Sequence, residues 1–119
     1  MNTVTILVVD DDPLTLNLMC RIVSAGGVEV APAASAREAL HWFDRQGAEL
    51  GLLVTDILMP GMDGRELART LRTRRPDLPV LFVSGYCQSA AGDERSAFLP
   101  KPFSPAKLQD GVRRLLRAT

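Results

Sequence analysis

Apolar and polar positions alternate along the chain in two rhythms. Val4 to Val9 reads VTILVV, an unbroken β-branched run that suits a strand covered on both faces. It ends in the carboxylates Asp10, Asp11 and Asp12, and Pro13 then suits the first turn of a helix, with Asp12 as its cap. Leu14, Leu18 and Ile22, four residues apart, predict the inner face of that helix, and Gly26 and Gly27 stop it. Val28 to Ala31 predicts a short, weak strand. Ser35 with Glu38 forms a capping-box pattern, followed by Ala36, Ala39, Leu40 and Phe43 at i, i+3, i+4 and i+7, and Gly47 closes this second helix. Leu52 to Thr55 predicts a buried strand that delivers Asp56. The loop through Pro60, Gly61 and Gly64 leads to a third helix, capped by Asp63 with Glu66 and carrying Leu67 and Leu71 inward. Pro79 to Val83 and Ala97 to Leu99 predict two further strands, ending at Ser84 and near Lys101. Ser104 and Pro105 open a last helix whose inner face is Leu108, Val112, Leu115 and Leu116, with Arg113, Arg114 and Arg117 toward the C-terminal end of its dipole.

Strands and helices that alternate in this way predict an α/β domain with a parallel sheet and helices on both faces. An open, doubly wound five-stranded sheet of this kind commonly has the strand order 2-1-3-4-5, with a crevice at the carboxyl ends of strands 1 and 3. On that scaffold Asp10 and Asp11 end strand 1, Asp56 ends strand 3, Ser84 ends strand 4, and Lys101 follows strand 5. Any one of these residues alone reads as a cap, a turn or a surface charge. Together they meet at one sheet edge. Clustered carboxylates repel unless a cation or a proton intervenes, and an oxygen-rich site suits Mg²⁺. The arrangement points to a phosphoryl acceptor at Asp56, with Asp11 and Asp56 sharing the cation, Ser84 bonding a phosphoryl oxygen and Lys101 pairing with another. The chain has 12 arginines and only Lys101 and Lys107 as lysines, so a lysine at 101 hints that a compact ammonium is wanted there.

Composition narrows the choice. The 119 residues suit one domain, 46% of them apolar, enough for a packed core. Net charge is zero, which argues against direct nucleic-acid or membrane binding. Cys20 and Cys87 form no metal spacing and fit a reduced cytoplasmic protein. No leader-like segment and no membrane-length apolar run is read. His41 beside Trp42 reads as a surface residue, and Tyr86 and Cys87 as lining the pocket entrance. Three other readings compete. Asp10 and Asp12 present the D-x-D spacing of an aspartyl phosphatase, against which Pro13 and the short length argue. An interaction module that had lost its chemistry would lack part of the filled pocket. A flavin-binding fold would meet repulsion between its phosphate and the acidic first loop.

The segments VVDDDP at 8–13, TDILMPGMDG at 55–64, FVSGY at 82–86 and LPKPF at 99–103, in this order, resemble the receiver domain of two-component response regulators. The resemblance covers essentially residues 1–119 and implies a flavodoxin-like fold of five βα units. It also implies phosphotransfer from a sensor histidine kinase or a histidine phosphotransfer domain in a bacterial cytoplasm. Asp56 is then the acceptor. Asp10 and Asp11, with Asp56 and the backbone carbonyl of Leu58, hold Mg²⁺ (or Mn²⁺). Lys101 is the phosphate-pairing lysine, Ser84 the switch hydroxyl and Phe98 the switch aromatic, and the Lys101–Pro102 bond is cis. Such a domain is a signalling module and not an enzyme in the turnover sense, and it is a monomer or a weak dimer formed on phosphorylation. The wording SGY and FLPKPFSP resembles receivers that belong to or work with hybrid sensor kinases, so the chain is read as a stand-alone receiver or an excised one. Partner docking is expected at the first helix near Leu14 and Leu18 and at the loop after Lys101. Leu58 and Tyr86, bulky and without a group to orient water, imply slow phosphoryl hydrolysis. One departure from the family is the segment CQSAAGDERS at 87–96, short and with Gly92, which predicts a short, irregular or mobile fourth helix.

Overall fold

A computed structural model describes residues 4–85 and 95–117, with the side chain of Arg117 outside the description. Its elements follow the order β1 (Thr5–Val9), α1 (Pro13–Ser24), β2 (Glu29–Ala33), α2 (Ala36–Gln46), a single 3-10 turn (Gly47–Glu49), β3 (Leu50–Thr55), α3 (Gly64–Arg72), β4 (Val80–Ser84), β5 (Ser96–Pro100) and α4 (Pro105–Arg117). The five strands are all parallel, in the order β2-β1-β3-β4-β5. This is the doubly wound order expected from the sequence. Of the segment 87–96 expected to form the fourth helix, residues 87–94 lie outside the described residues and Ser96 already belongs to β5.

The unbroken apolar strands are explained by what covers them. Side chains alternate between the two sheet faces. Ile6, Val8, Leu52, Val54, Leu81 and Val83 face one way and pack with α1 and α4 through Met19, Ile22, Val23, Leu108, Val112 and Leu115. Leu7, Val9, Leu53, Val80 and Phe82 face the other way and pack with α2 and α3 through Ala36, Ala39, Phe43, Leu67, Ala68 and Leu71. Neither face is left wet, so the strands have no polar face to show.

Two expectations are corrected. The inner face of α1 is not Leu14, Leu18 and Ile22: Leu14 is 81% exposed and Leu18 51%, while Met19, Ile22 and Val23 are buried. Leu16, Met19, Cys20 and Val23 form the competing i, i+3, i+4, i+7 stripe, and Leu14 and Leu18 project roughly opposite to it at about 100° per residue. The stripe nearest β1 and α4 is the one that packs, and Ile22 lies at its border. The strand bounds also move: β2 runs to Ala33 rather than ending at Ala31. Among the described residues it is an edge strand paired with β1 alone, where Pro32 can sit without a ladder donor. β3 begins at Leu50, and β5 extends from Ser96 to Pro100.

The caps fall where the sequence placed them. Asp12 accepts from Thr15 N–H at 3.1 Å and from the Thr15 hydroxyl. Asp63 and Glu66 close a full capping box at 2.9 and 3.2 Å. Ser35 accepts from Glu38 N–H at 3.1 Å, but the Glu38 carboxylate reaches one residue further back, to Ala34 N–H at 3.0 Å. Ser104 accepts from Lys107 N–H at 3.2 Å.

Candidate functional site

The parallel ladder gathers the polar residues. Val9 and Thr55 are register partners on β1 and β3, so Asp10 and Asp56 leave the sheet side by side. Both are held by backbone bonds, Asp56 N–H to Val9 O at 3.0 Å and Asp10 N–H to Ala33 O at 3.2 Å. On the far side Ser84 pairs with Pro100, and Lys101 N–H donates to Ser84 O at 3.0 Å. The Lys101–Pro102 peptide is cis, as the resemblance implied. Residues as far as 91 positions apart thus share one edge because every strand points the same way.

Carboxylate oxygens of Asp10, Asp11 and Asp56 lie within 4.8 Å of one another. Asp10 is wholly buried, Asp56 is 8% exposed and Asp11 faces solvent. The Lys101 side chain is 25% exposed, and its ammonium bridges Asp10 Oδ2 at 2.9 Å and Asp56 Oδ2 at 3.3 Å. Asp10 Oδ1 accepts from Asp12 N–H at 2.9 Å. Burial pushes the Asp56 carboxyl above the usual carboxylate range; the Lys101 charge partly opposes this and the Asp10 charge adds to it. For Lys101, burial pulls the ammonium down, but the hydrogen bond and charge of Asp10, with the charge of Asp56, leave it raised overall. The site therefore holds more negative charge than its single ammonium offsets. An ionised carboxylate has about four lone-pair sites, so these contacts leave acceptor capacity for a cation. Three hard oxygens at this spacing fit Mg²⁺ or Mn²⁺ and do not suit a soft metal.

Ser84, 1% exposed, ends β4 beside this group. Phe98 is half-buried on β5, stacked on Phe82 with ring centroids 5.0 Å apart. The Leu58 side chain is exposed, as is His41. Tyr86 and Cys87 lie outside the described residues. A groove of about 980 Å³ between α2 and Pro60–Met62, lined by His41 and Trp42, carries none of the clustered carboxylates.

Two residues that hold the site escaped the sequence reading. Thr55 is fully buried and its hydroxyl donates to the Asp56 carbonyl at 2.8 Å. Gly64 was read only as a turn residue. Its N–H donates to Ile57 O at 2.8 Å, and a Cβ there would collide with the Asp56 carbonyl oxygen and come within 2.9 Å of its carbon. The sequence signal was a glycine at the first position of a capped helix, where no special backbone angle calls for one.

Fold and site together define a doubly wound α/β domain with an acidic crevice at its topological switch point. The profile of the response regulator receiver domain matches residues 6–113, and the chain belongs to that family. It is 38% identical over 94% of its length to the sensor kinase CckA of Brucella abortus (strain 2308), and 39% identical over 98% to the response regulator MprA of Mycolicibacterium vanbaalenii. It spans only 12% and 52% of those two proteins. The response regulator TrrA of Thermotoga maritima, solved in complex with Mg(2+)-BeF, superposes with a TM-score of 0.83 at 28% identity, covering 95% of this chain and 99% of that one. The family is a signalling domain of two-component systems. Among the described residues no helix is long and apolar enough to cross a membrane.

Proposed function

We propose that Asp56 accepts a phosphoryl group from a phosphohistidine, and that the aspartyl phosphate switches the domain between two conformations. The observation that carries this is the meeting of Asp10, Asp11 and Asp56 within 4.8 Å beside the Lys101 ammonium. A carboxylate oxygen of Asp56 attacks phosphorus, the bond from phosphorus to the histidine nitrogen breaks, and an acyl phosphate remains. Asp10, Asp11, Asp56 and the Leu58 backbone carbonyl would hold Mg²⁺ or Mn²⁺, which when bound would supply positive charge to the phosphoryl oxygens. Lys101 turns from the Asp56 carboxylate to a phosphoryl oxygen, and Ser84 hydrogen-bonds another. Phe98 follows Ser84 and carries the change to the surface. That TrrA, which shares the fold, was solved in complex with Mg(2+)-BeF supports Mg²⁺ as the ion for this chain's acidic cluster.

The donor is a sensor histidine kinase or a histidine phosphotransfer domain, and α1 receives it. Leu14 and Leu18 support this, since two large apolar side chains stand exposed on the helix that starts beside Asp10 and Asp11. The chain carries out no turnover beyond its own phosphorylation and slow dephosphorylation, and it works in the cytoplasm as a monomer or a weak phosphorylation-dependent dimer. The likeness to a sensor kinase supports a receiver that belongs to, or works with, a hybrid kinase.

The test is transfer of radiolabelled phosphoryl from a phosphorylated histidine domain. Label is expected on wild type with Mg²⁺, none on Asp56→Asn and none in EDTA. Leu14→Ser with Leu18→Ser is expected to slow this transfer at least about tenfold, the loss of roughly 1.4 kcal/mol, while labelling by a small donor is unchanged. Label on Asp56→Asn equal to wild type contradicts the acceptor assignment, and an unchanged transfer rate in the leucine variant contradicts the docking face.

A further inference from the structure

Phe98 is held from two sides by groups of different kinds. Its partner in the parallel ladder is Phe82 of β4, and the two rings stack at 5.0 Å with their planes 21° apart. The second holder is Arg65, whose guanidinium carbon lies 5.6 Å from the Phe98 ring centroid, within cation–π range. Arg65 is the second residue of α3 and is exposed. Its position is tied to the acidic site through the backbone. Gly64, immediately before it, donates to Ile57 O at 2.8 Å and packs against the Asp56 carbonyl, and the Asp63–Glu66 capping box fixes the same turn. Glu66, the neighbouring carboxylate, is engaged in that box with Asp63 N–H. Phe82 belongs to the packed core, whereas the Arg65 contact can be removed without disturbing it.

We propose that Arg65 is a positioning residue that holds the Phe98 ring against Phe82, that this held position is the resting one, and that the contact so sets how readily the switch turns. This rests on the reading of Phe98 as the moving aromatic. A cation over a ring attracts it only while the ring lies beneath, so the contact favours the resting position and opposes departure. Because α3 starts on the backbone that carries Asp56, a shift of the acceptor loop moves Arg65 as well. The ring is thus addressed from the strand side through β4 and from the helix side through α3. An exposed contact of this kind biases the two positions by about two- to fivefold.

The test uses Mg²⁺ with fluoroberyllate as the phosphoryl mimic, titrated into chain labelled with fluorinated phenylalanine. The chain has 4 phenylalanines, and Phe98→Leu assigns the resonance. For Arg65→Ala the midpoint of the Phe98 shift is expected to fall about two- to fivefold, and its resonance is expected to move already in EDTA. Arg65→Lys keeps a cation at the ring and is expected to stay near the wild-type midpoint. Arg69→Ala, which removes the same charge one turn along the exposed side of α3, is expected to leave it unchanged. A wild-type midpoint in Arg65→Ala overturns the proposal. So does an Arg69→Ala effect as large as that of Arg65→Ala, or an Arg65→Lys midpoint as low. Wild type that binds no fluoroberyllate overturns the receiver chemistry itself, a result distinct from binding that Arg65 does not influence.

Discussion

Asp56 is a carboxylate whose charge the fold disfavours. Burial raises its pKa, and between the ordinary aspartate value and the raised one the native chain binds more protons than the unfolded chain. Stability therefore falls as pH climbs through that window. Asp56→Asn removes the penalty. In EDTA, the stability of Asp56→Asn relative to wild type is expected to grow as pH rises above the ordinary aspartate value of about 4 when followed by urea unfolding. A gap that stays constant with pH would contradict the assignment. Lys101 is a charge the fold favours, and its linkage has the same sign: its raised pKa contributes stability that is present at neutral pH and lost only as pH rises through the raised value. At this scale the sequence was legible in part. Asp10, Asp11, Asp56, Ser84 and Lys101 could be placed because each ends or follows a strand. The bridging of Asp10 and Asp56 by Lys101, the bond from Thr55 to the Asp56 carbonyl and the cation over Phe98 could not, since each depends on a side-chain direction that no periodicity encodes.

Elements were easiest to read where local and tertiary forces agree. The buried strands β1 and β4 and the capped helices α2, α3 and α4 combine apolar patterning with caps that the structure retains. Asp63→Ala opens the capping box and is expected to cost about 1 kcal/mol of unfolding free energy by denaturant titration; a change near zero would contradict a working cap. Agreement fails in α1, where two stripes compete and only the neighbours decide which is buried. It fails also in β2, whose edge position tolerates a proline that weakens the strand signal. The junction of β3 and α3 is the tightest point. Gly64→Ala must displace backbone rather than a flexible side chain, and a loss of about 2 kcal/mol or more is expected, with weakened Mg²⁺ binding by isothermal titration. Wild-type stability and metal affinity in Gly64→Ala would contradict the close approach described.

For the whole molecule, topology makes the site. Five parallel strands in the order β2-β1-β3-β4-β5 send their carboxyl ends to one edge, and the crevice opens where the connections diverge. This was legible from the βα alternation alone, because parallel pairing leaves the chain few ways to arrange itself. The helix faces needed the packed structure, as did the stacking of Phe98 on Phe82 and the cation over its ring. A charge-rich crevice on a fully packed sheet gives a domain whose edge is electrostatically unfinished, and in the proposed function phosphorylation acts on that edge. The central claim is tested most directly by intact mass after incubation with acetyl phosphate, with Mg²⁺ and with EDTA, on wild type and Asp56→Asn. One added phosphoryl group is expected on wild type with Mg²⁺ and on neither control. Equal phosphorylation of Asp56→Asn, or wild type that stays unmodified by acetyl phosphate and by a phosphohistidine donor alike, would contradict it.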